Sequence, residues 1–253
     1  QVFITINVPP NISILEPTTG SRSNIGDLIY FDLLIQDEED PFSSISTTIT
    51  SSLDDVLTTQ YPDENGTISF NSAALSAGQH NISVTATDSA NFSSVANIQL
   101  YINTPPDEPI IYISPVIADT TSDLQASINI PNDIDGDTVS VDIEWYKNEQ
   151  IFPNNGVSIP SSETQKGDIW TLQAIAHDGL ASSSQVTQSV IIQNSLPQIN
   201  SITVSSTSPA LGDTLTCSVT ASDVDIIDQS NLEISYVWED QQGDSLSTDQ
   251  SII

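Results

Sequence analysis

Gly26–Asp37 lies on Gly212–Asp223 without a gap, and this internal repeat constrains the fold more than any other feature of the chain. The shared apolar positions are Ile29/Leu215, Phe31/Cys217, Leu33/Val219 and Ile35/Ala221. Their period of two is that of a half-buried strand. Leu124-Gln125-Ala126-Ser127-Ile128 offers a looser third copy, and Ile82–Asp88 matches Leu172–Asp178, alternating apolar residues that end on Asp. Short Pro-bearing joints punctuate the repeat at Val8-Pro9-Pro10, Thr104-Pro105-Pro106 and Ser195-Leu196-Pro197. They lie roughly ninety residues apart, about one β-sandwich domain. Each follows an apolar run: Val2–Ile6, Ile98–Ile102 and Val190–Ile192. The expected division is therefore residues 1–8 as the last strand of a preceding domain, then domains at 9–103, 104–194 and 195–253.

Helix signals are nearly absent, the one candidate being a single turn at Ser72-Ala73-Ala74-Leu75-Ser76. Asn65-Gly66 and Asn155-Gly156 are tight-turn signals between short alternating runs. With 37% hydrophobic residues the chain can build small β cores and is not a disordered acidic tail. No apolar run is long enough for a membrane-spanning helix, so no direct membrane insertion is expected in this segment. No signal-peptide pattern opens the chain and it contains no Met, so any leader is expected to have been removed. The fold class expected is all-β, tandem sandwiches in a row with the last one incomplete.

Charge narrows the choice of partners. The chain holds 34 Asp+Glu against 3 Lys+Arg, a formal charge of -31, and the bases are Arg22, Lys147 and Lys166. Charged residues are only 15% of the total, so the acidity comes from missing bases. Nucleic acid and anionic membrane surfaces both need Lys/Arg, and neither is an expected partner.

These residues resemble tandem immunoglobulin-like repeats of the PKD/cadherin-like sort found in large bacterial and archaeal surface proteins. Leu75–Asp88 is similar to that family's E–F corner and F strand, as is Lys166–Leu172. Trp145 and Trp238 stand where the family places its core Trp on strand C, and Thr47-Thr48-Ile49-Thr50 replaces it in the first domain. The resemblance implies that the third domain lacks strands E to G. It also implies that Cys217, the lone cysteine, sits at one half of an inter-sheet disulfide whose partner would lie beyond Ile253. An open last sandwich also permits strand donation between neighbouring copies.

In this topology the B–C and F–G loops share one end of a sandwich, and acids gather there. Domain two offers Asp133, Asp135, Asp137 and Asp178, with Asp107 and Glu108 on the joint. Domain one offers Asp37, Glu39 and Asp88, within Asp37-Glu38-Glu39-Asp40 and after strand F; domain three offers Asp223 and Asp225. Converging carboxylates repel unless neutralised, and Ca²⁺, which takes six to eight oxygens, is the cofactor expected. A lone loop Asp, by contrast, commonly serves an Asx-turn. Sequons mark Asn11, Asn65, Asn81 and Asn91 as glycosylation candidates.

No nucleophile motif, metal-protease motif or phosphate-cradling loop is present, so no enzyme is expected. His80 reads as a corner residue and His177 as a solvent-side residue, while Trp145, Trp170 and Trp238 read as core pins. The functional expectation is an extracellular, cell-surface structural protein: a rod, coat (S-layer) or filament segment stiffened by calcium at its junctions. Its partners would be copies of itself or other surface proteins. The alternative is an adhesin or ligand-binding stalk module of a larger surface protein or enzyme.

Overall fold

The computed structural model describes residues 7–153 and 156–253. The Val2–Ile6 strand and Asn155 of the second turn signal lie outside the described residues. The chain divides into two compact units: Gln1–Pro109 with Ile130–Asp142 and Ile175–Gln185, and Ile110–Asn129 with Ile143–Ala174 and Val186–Ile253.

The first sandwich contains β1 (Asn11–Glu16), β2 (Ser21–Asn24), β3 (Ile29–Gln36), β4 (Ser46–Ser51), β5 (Asp55–Gln60), β6 (Thr67–Ser72), β7 (Gly78–Thr87) and β8 (Ser93–Asn103). One sheet runs β1-β3-β6 and the other β2-β8-β7-β4-β5, with only the β2–β8 pair parallel. The alternation read from the sequence is the core itself. Ile29, Phe31, Leu33 and Ile35 of β3 face Ile82, Val84 and Ala86 of β7 and Ile98, Leu100 and Ile102 of β8. Each fully buried aliphatic contributes about 1.5–3 kcal/mol relative to exposure. Ile49 on β4, within the run expected to replace the strand C Trp, is fully buried, and Phe31 stacks on Phe70 with centroids 4.6 Å apart. The single helical turn expected at Ser72–Ser76 does not form. Ser72 completes β6, and Leu75 enters the core from the loop beyond it.

The same topology recurs eight strands later. β9 (Ile110–Ser114), β10 (Ala118–Asp119), β11 (Leu124–Asn129), β12 (Ser140–Lys147), β13 (Gln150–Phe152), β14 (Ser158–Ile159), β15 (Ile169–His177) and β16 (Val186–Gln193) form sheets ordered β14-β11-β9 and β10-β16-β15-β12-β13. Again the pair β10–β16 is parallel. Trp145 on β12 and Trp170 on β15 are fully buried and meet edge to face, centroids 6.3 Å apart. Tandem immunoglobulin-like sandwiches follow from this repetition of strand order.

A third, incomplete sandwich follows: β17 (Gln198–Val204), β18 (Leu215–Ser222), β19 (Trp238–Glu239), β20 (Ser245–Ser247) and β21 (Ser251–Ile252), in sheets β17-β18-β21 and β19-β20. β21 pairs with β18 as β6 pairs with β3, so the chain reaches into the strand E that the sequence reading left out. Trp145 Nε1 donates to the carbonyl of Gly156 and Trp238 Nε1 to that of Asp249, each eleven residues on, which fixes the equivalence of the two strands C. Trp238 is only half-buried, whereas Cys217 is buried and carries no disulfide.

Candidate functional site: the acidic joints

Each Pro-bearing joint is held by the same local grammar. An acid–any–acid sequence follows the second long strand of every sandwich. In all three copies the first Asp turns back on its own backbone as an Asx-turn. Asp37 Oδ1 accepts the N–H of Glu39 at 2.9 Å, Asp133 Oδ1 that of Asp135 at 2.8 Å, and Asp223 Oδ1 that of Asp225 at 2.8 Å. At the second and third joints this turn leaves the second acid facing the joint. Thr104 N–H donates to Asp135 Oδ2 at 2.6 Å, and Ser195 N–H to Asp225 Oδ2 at 2.9 Å.

A second hold comes from the Asp that ends strands β7 and β15. Asn7 Nδ2 donates to Asp88 Oδ2 at 2.6 Å, and Asn103 Nδ2 to Asp178 Oδ2 at 2.9 Å. Both carboxylates also cap their own loops. Asp88 Oδ1 takes the N–H groups of Ala90 and Phe92, and Asp178 Oδ1 those of Leu180 and Ala181. Burial opposes the charge on Asp178, but the N–H of Ala181, the Asn103 amide and the N–H of Leu180 outweigh it and hold its carboxyl below the usual range. Asp225 is likewise lowered: burial raises it, and the Thr120 and Ser195 donors with nearby Lys166 more than offset that.

At the first joint, one oxygen each from Asp37, Asp40 and Asp88 lie within 4.8 Å of one another. Glu39 is exposed and outside this trio, which takes in Asp40 instead. At the second joint, Asp137 is drawn to Arg22, with Nη2 3.0 Å from its carboxylate, and the guanidinium lies 4.4 Å over the Tyr101 ring. Asp107 and Glu108 are exposed. At the third, Lys166 pairs with Asp228 at 2.6 Å. With Lys147 paired to Asp168 at 3.0 Å, all three basic side chains of the chain are ion-paired.

Sequence reasoning placed the acids at these joints and missed their amide partners, Asn7 and Asn103, and also Asp40. The available signal was an Asn two residues ahead of the first Pro in both Asn7-Val8-Pro9 and Asn103-Thr104-Pro105. Asn11, Asn65, Asn81 and Asn91 are exposed. His80 is fully enclosed at the corner, Nδ1 2.7 Å from Ser51 Oγ and Nε2 2.7 Å from the Ser76 carbonyl. His177 lies at the surface beside Ser182 and Asp142.

No known protein family matches the sequence, and no curated protein matches it. Among solved structures, the chain is similar to the fibronectin(III)-like modules of Clostridium thermocellum CbhA, at 14% identity over 72% of this chain and 94% of that one, TM-score 0.33. The three N-terminal domains of the bacteriophage RB49 Highly Immunogenic Outer Capsid protein match 97% of this chain and 80% of theirs at 17% identity, TM-score 0.35. The BSP domain of a biofilm associated protein matches 73% of this chain and 29% of its own at 12% identity, TM-score 0.27. Scores this low carry no inference about role. The class of the chain rests on its own repeated strand order: immunoglobulin-like sandwiches in tandem.

Proposed function

We propose that the chain is a segment of an extracellular adhesion stalk, non-catalytic, in which serial sandwiches carry the binding parts of a larger surface protein away from the cell. The observation that supports it is the joint chemistry: the residues between sandwiches are bonded into acidic loops rather than left as free linker. Two further facts fit. No basic side chain is free to hold a polyanion, and a surface of charge -31 resists non-specific clumping outside the cell. Tyr30, Tyr61, Phe92 and Tyr112 leave their rings largely in solvent, which gives other surface proteins apolar contacts on an otherwise acidic surface. The four exposed sequons suit a glycoprotein of this kind.

A coat or filament made of copies of the chain is the second reading, drawn from the serial architecture. Gold-labelled antibodies against the chain, applied to intact source cells and imaged by electron microscopy, test both. Label on isolated projections supports the stalk, and label on an ordered lattice or fibre supports the coat. Label that appears only after permeabilisation refutes both.

A further inference from the structure

In a chain of charge -31, a broad sheet face of the first sandwich is free of acids. In the sheet β2-β8-β7-β4-β5, alternate residues of the strands turn away from the core. On β4 these are Ser46, Thr48 and Thr50, on β7 every second residue from Gln79 to Thr87, and on β8 every second residue from Ser93 to Tyr101. None of them is Asp or Glu, and all but Val95 end in a hydroxyl or an amide. Strands disfavour acids in general. That preference alone does not account for this face, because the corresponding sheet of the second sandwich carries Asp142 and Glu144 on β12, and the opposite sheet of the first carries Asp32 on β3. Neighbouring hydroxyls on the face are already aligned: Thr48 Oγ1 lies 3.2 Å from Thr59 Oγ1, and Thr87 Oγ1 2.8 Å from Ser93 Oγ.

We infer that this face pairs with the same face on a second copy of the chain, across a twofold axis. Acidic surfaces fail at self-pairing for two reasons. Like charges repel, and a carboxylate only accepts hydrogen bonds, so it finds no donor on its own image. Hydroxyls and amides both donate and accept, so a surface built of them is complementary to itself, as an isologous contact requires. Val95 on β8 and Val56 on β5, both more than half exposed, add apolar contact. With ten residues in β7, eleven in β8 and shorter strands beside them, the face covers roughly 600 Å². Two copies bury about 1,200 Å², the lower edge of specific interfaces, so the pair is weak and reversible. The inference rests on the stalk reading, in which copies standing on one surface meet at high effective concentration. Asn81 lies on this face, so the pairing requires that sequon to be bare.

Sedimentation equilibrium of the full chain, from about 10 μM to about 1 mM, reads the pairing. A reversible dimer is expected, tighter in about 0.5 M salt than in about 0.05 M, because screening relieves the repulsion between two acidic chains. Asn97→Asp places a charge on the face, and Asn71→Asp places the same charge on β6 of the other sheet; both positions are exposed and neither change alters shape. Asn97→Asp should weaken the dimer about tenfold or more through like-charge contact. Asn71→Asp should leave it within about twofold. Gln99→Glu, equally conservative in shape, replaces Asn97→Asp should circular dichroism show that variant to be misfolded.

A chain that stays monomeric at about 1 mM in about 0.5 M salt would overturn the inference. Equal weakening by Asn97→Asp and Asn71→Asp would assign the effect to net charge, and a dimer untouched by Asn97→Asp would lie on another surface; either result overturns it. Peptide mass mapping of the chain from its source that finds a glycan on Asn81 would overturn it as well. A monomer in solution with isolated projections on cells would reject the pairing and leave the stalk standing, whereas a dimer with label only after permeabilisation would reject the stalk instead.

Discussion

Replacing Gly66 by Ala separates two costs that a turn glycine usually merges. Gly66 has φ +81, a left-handed conformation that costs a non-glycine residue roughly 1–2 kcal/mol. A Cβ there would stand 2.4 Å from the Ile35 carbonyl oxygen and 3.1 Å from the Phe42 ring. The Ile35 carbonyl does not move freely, because Ile35 N–H donates to the Gly66 carbonyl at 2.8 Å and Ile35 is fully buried in the core. Relief of the clash breaks that hydrogen bond and strands a buried N–H, a further 1–3 kcal/mol or so. Gly20, with φ +84 and nothing within 4 Å of an added Cβ, pays the conformational part alone.

The expected losses are therefore about 1–2 kcal/mol for Gly20→Ala and about 2–5 kcal/mol for Gly66→Ala. A chain with several sandwiches need not unfold in one step, so amide hydrogen exchange of peptides covering β3 and β6 is the suitable assay. Equal losses for the two variants, or protection of β3 unchanged in Gly66→Ala, would refute the reasoning.

Two more outcomes can be checked on the same chain. Ser51→Ala removes the hydroxyl that bonds buried His80 and accepts the N–H groups of Leu53 and Asp54; a loss of about 1–3 kcal/mol in exchange protection around the β4–β5 turn is expected. Asp168 is held below the usual carboxyl range: burial raises it, but Asn148, Lys147 and the Gln165 N–H outweigh that. Its contribution is complete above an unfolded pKa of about 3.9 and is lost as pH falls through the lower folded value. Asp168→Asn should therefore flatten the acid limb of a thermal-melt profile without moving its neutral-pH slope, and an unaltered acid limb would count against the charge pairing.

The long strands were legible because burial alternates with chain position. Ile82, Val84 and Ala86 on β7 and Leu172, Ala174 and Ala176 on β15 are the inward faces that the apolar spacing marks. The Ser72–Ser76 stretch misled because Ala and Leu favour helix locally, whereas Ser72 is already paired with Ile29 and Leu75 is a lone anchor in the core. At the joints, charge could be read from composition but geometry could not. Which of the four acids from Asp37 to Asp40 turns toward Asp88 is decided by an Asx-turn, through the N–H groups of Glu39 and Asp40 on Asp37 Oδ1. The contact of Asp137 with Arg22 joins residues remote in sequence, and no local pattern announces it. Asn7 and Asn103 carry no charge, and beside Pro they read as ordinary turn residues.

The joint grammar described above also bears on how such a chain changes over generations. The acid–any–acid turn recurs at all three joints, and a joint Asn bonded to a strand-ending Asp at the first two, together with a strand order that repeats whole in the first two sandwiches. Duplication of such a stretch of gene brings a working connection with it. Recombination between copies can then lengthen or shorten the product by complete repeats, with no core to be reinvented. The number of sandwiches thus becomes an inherited count, open to selection on its own.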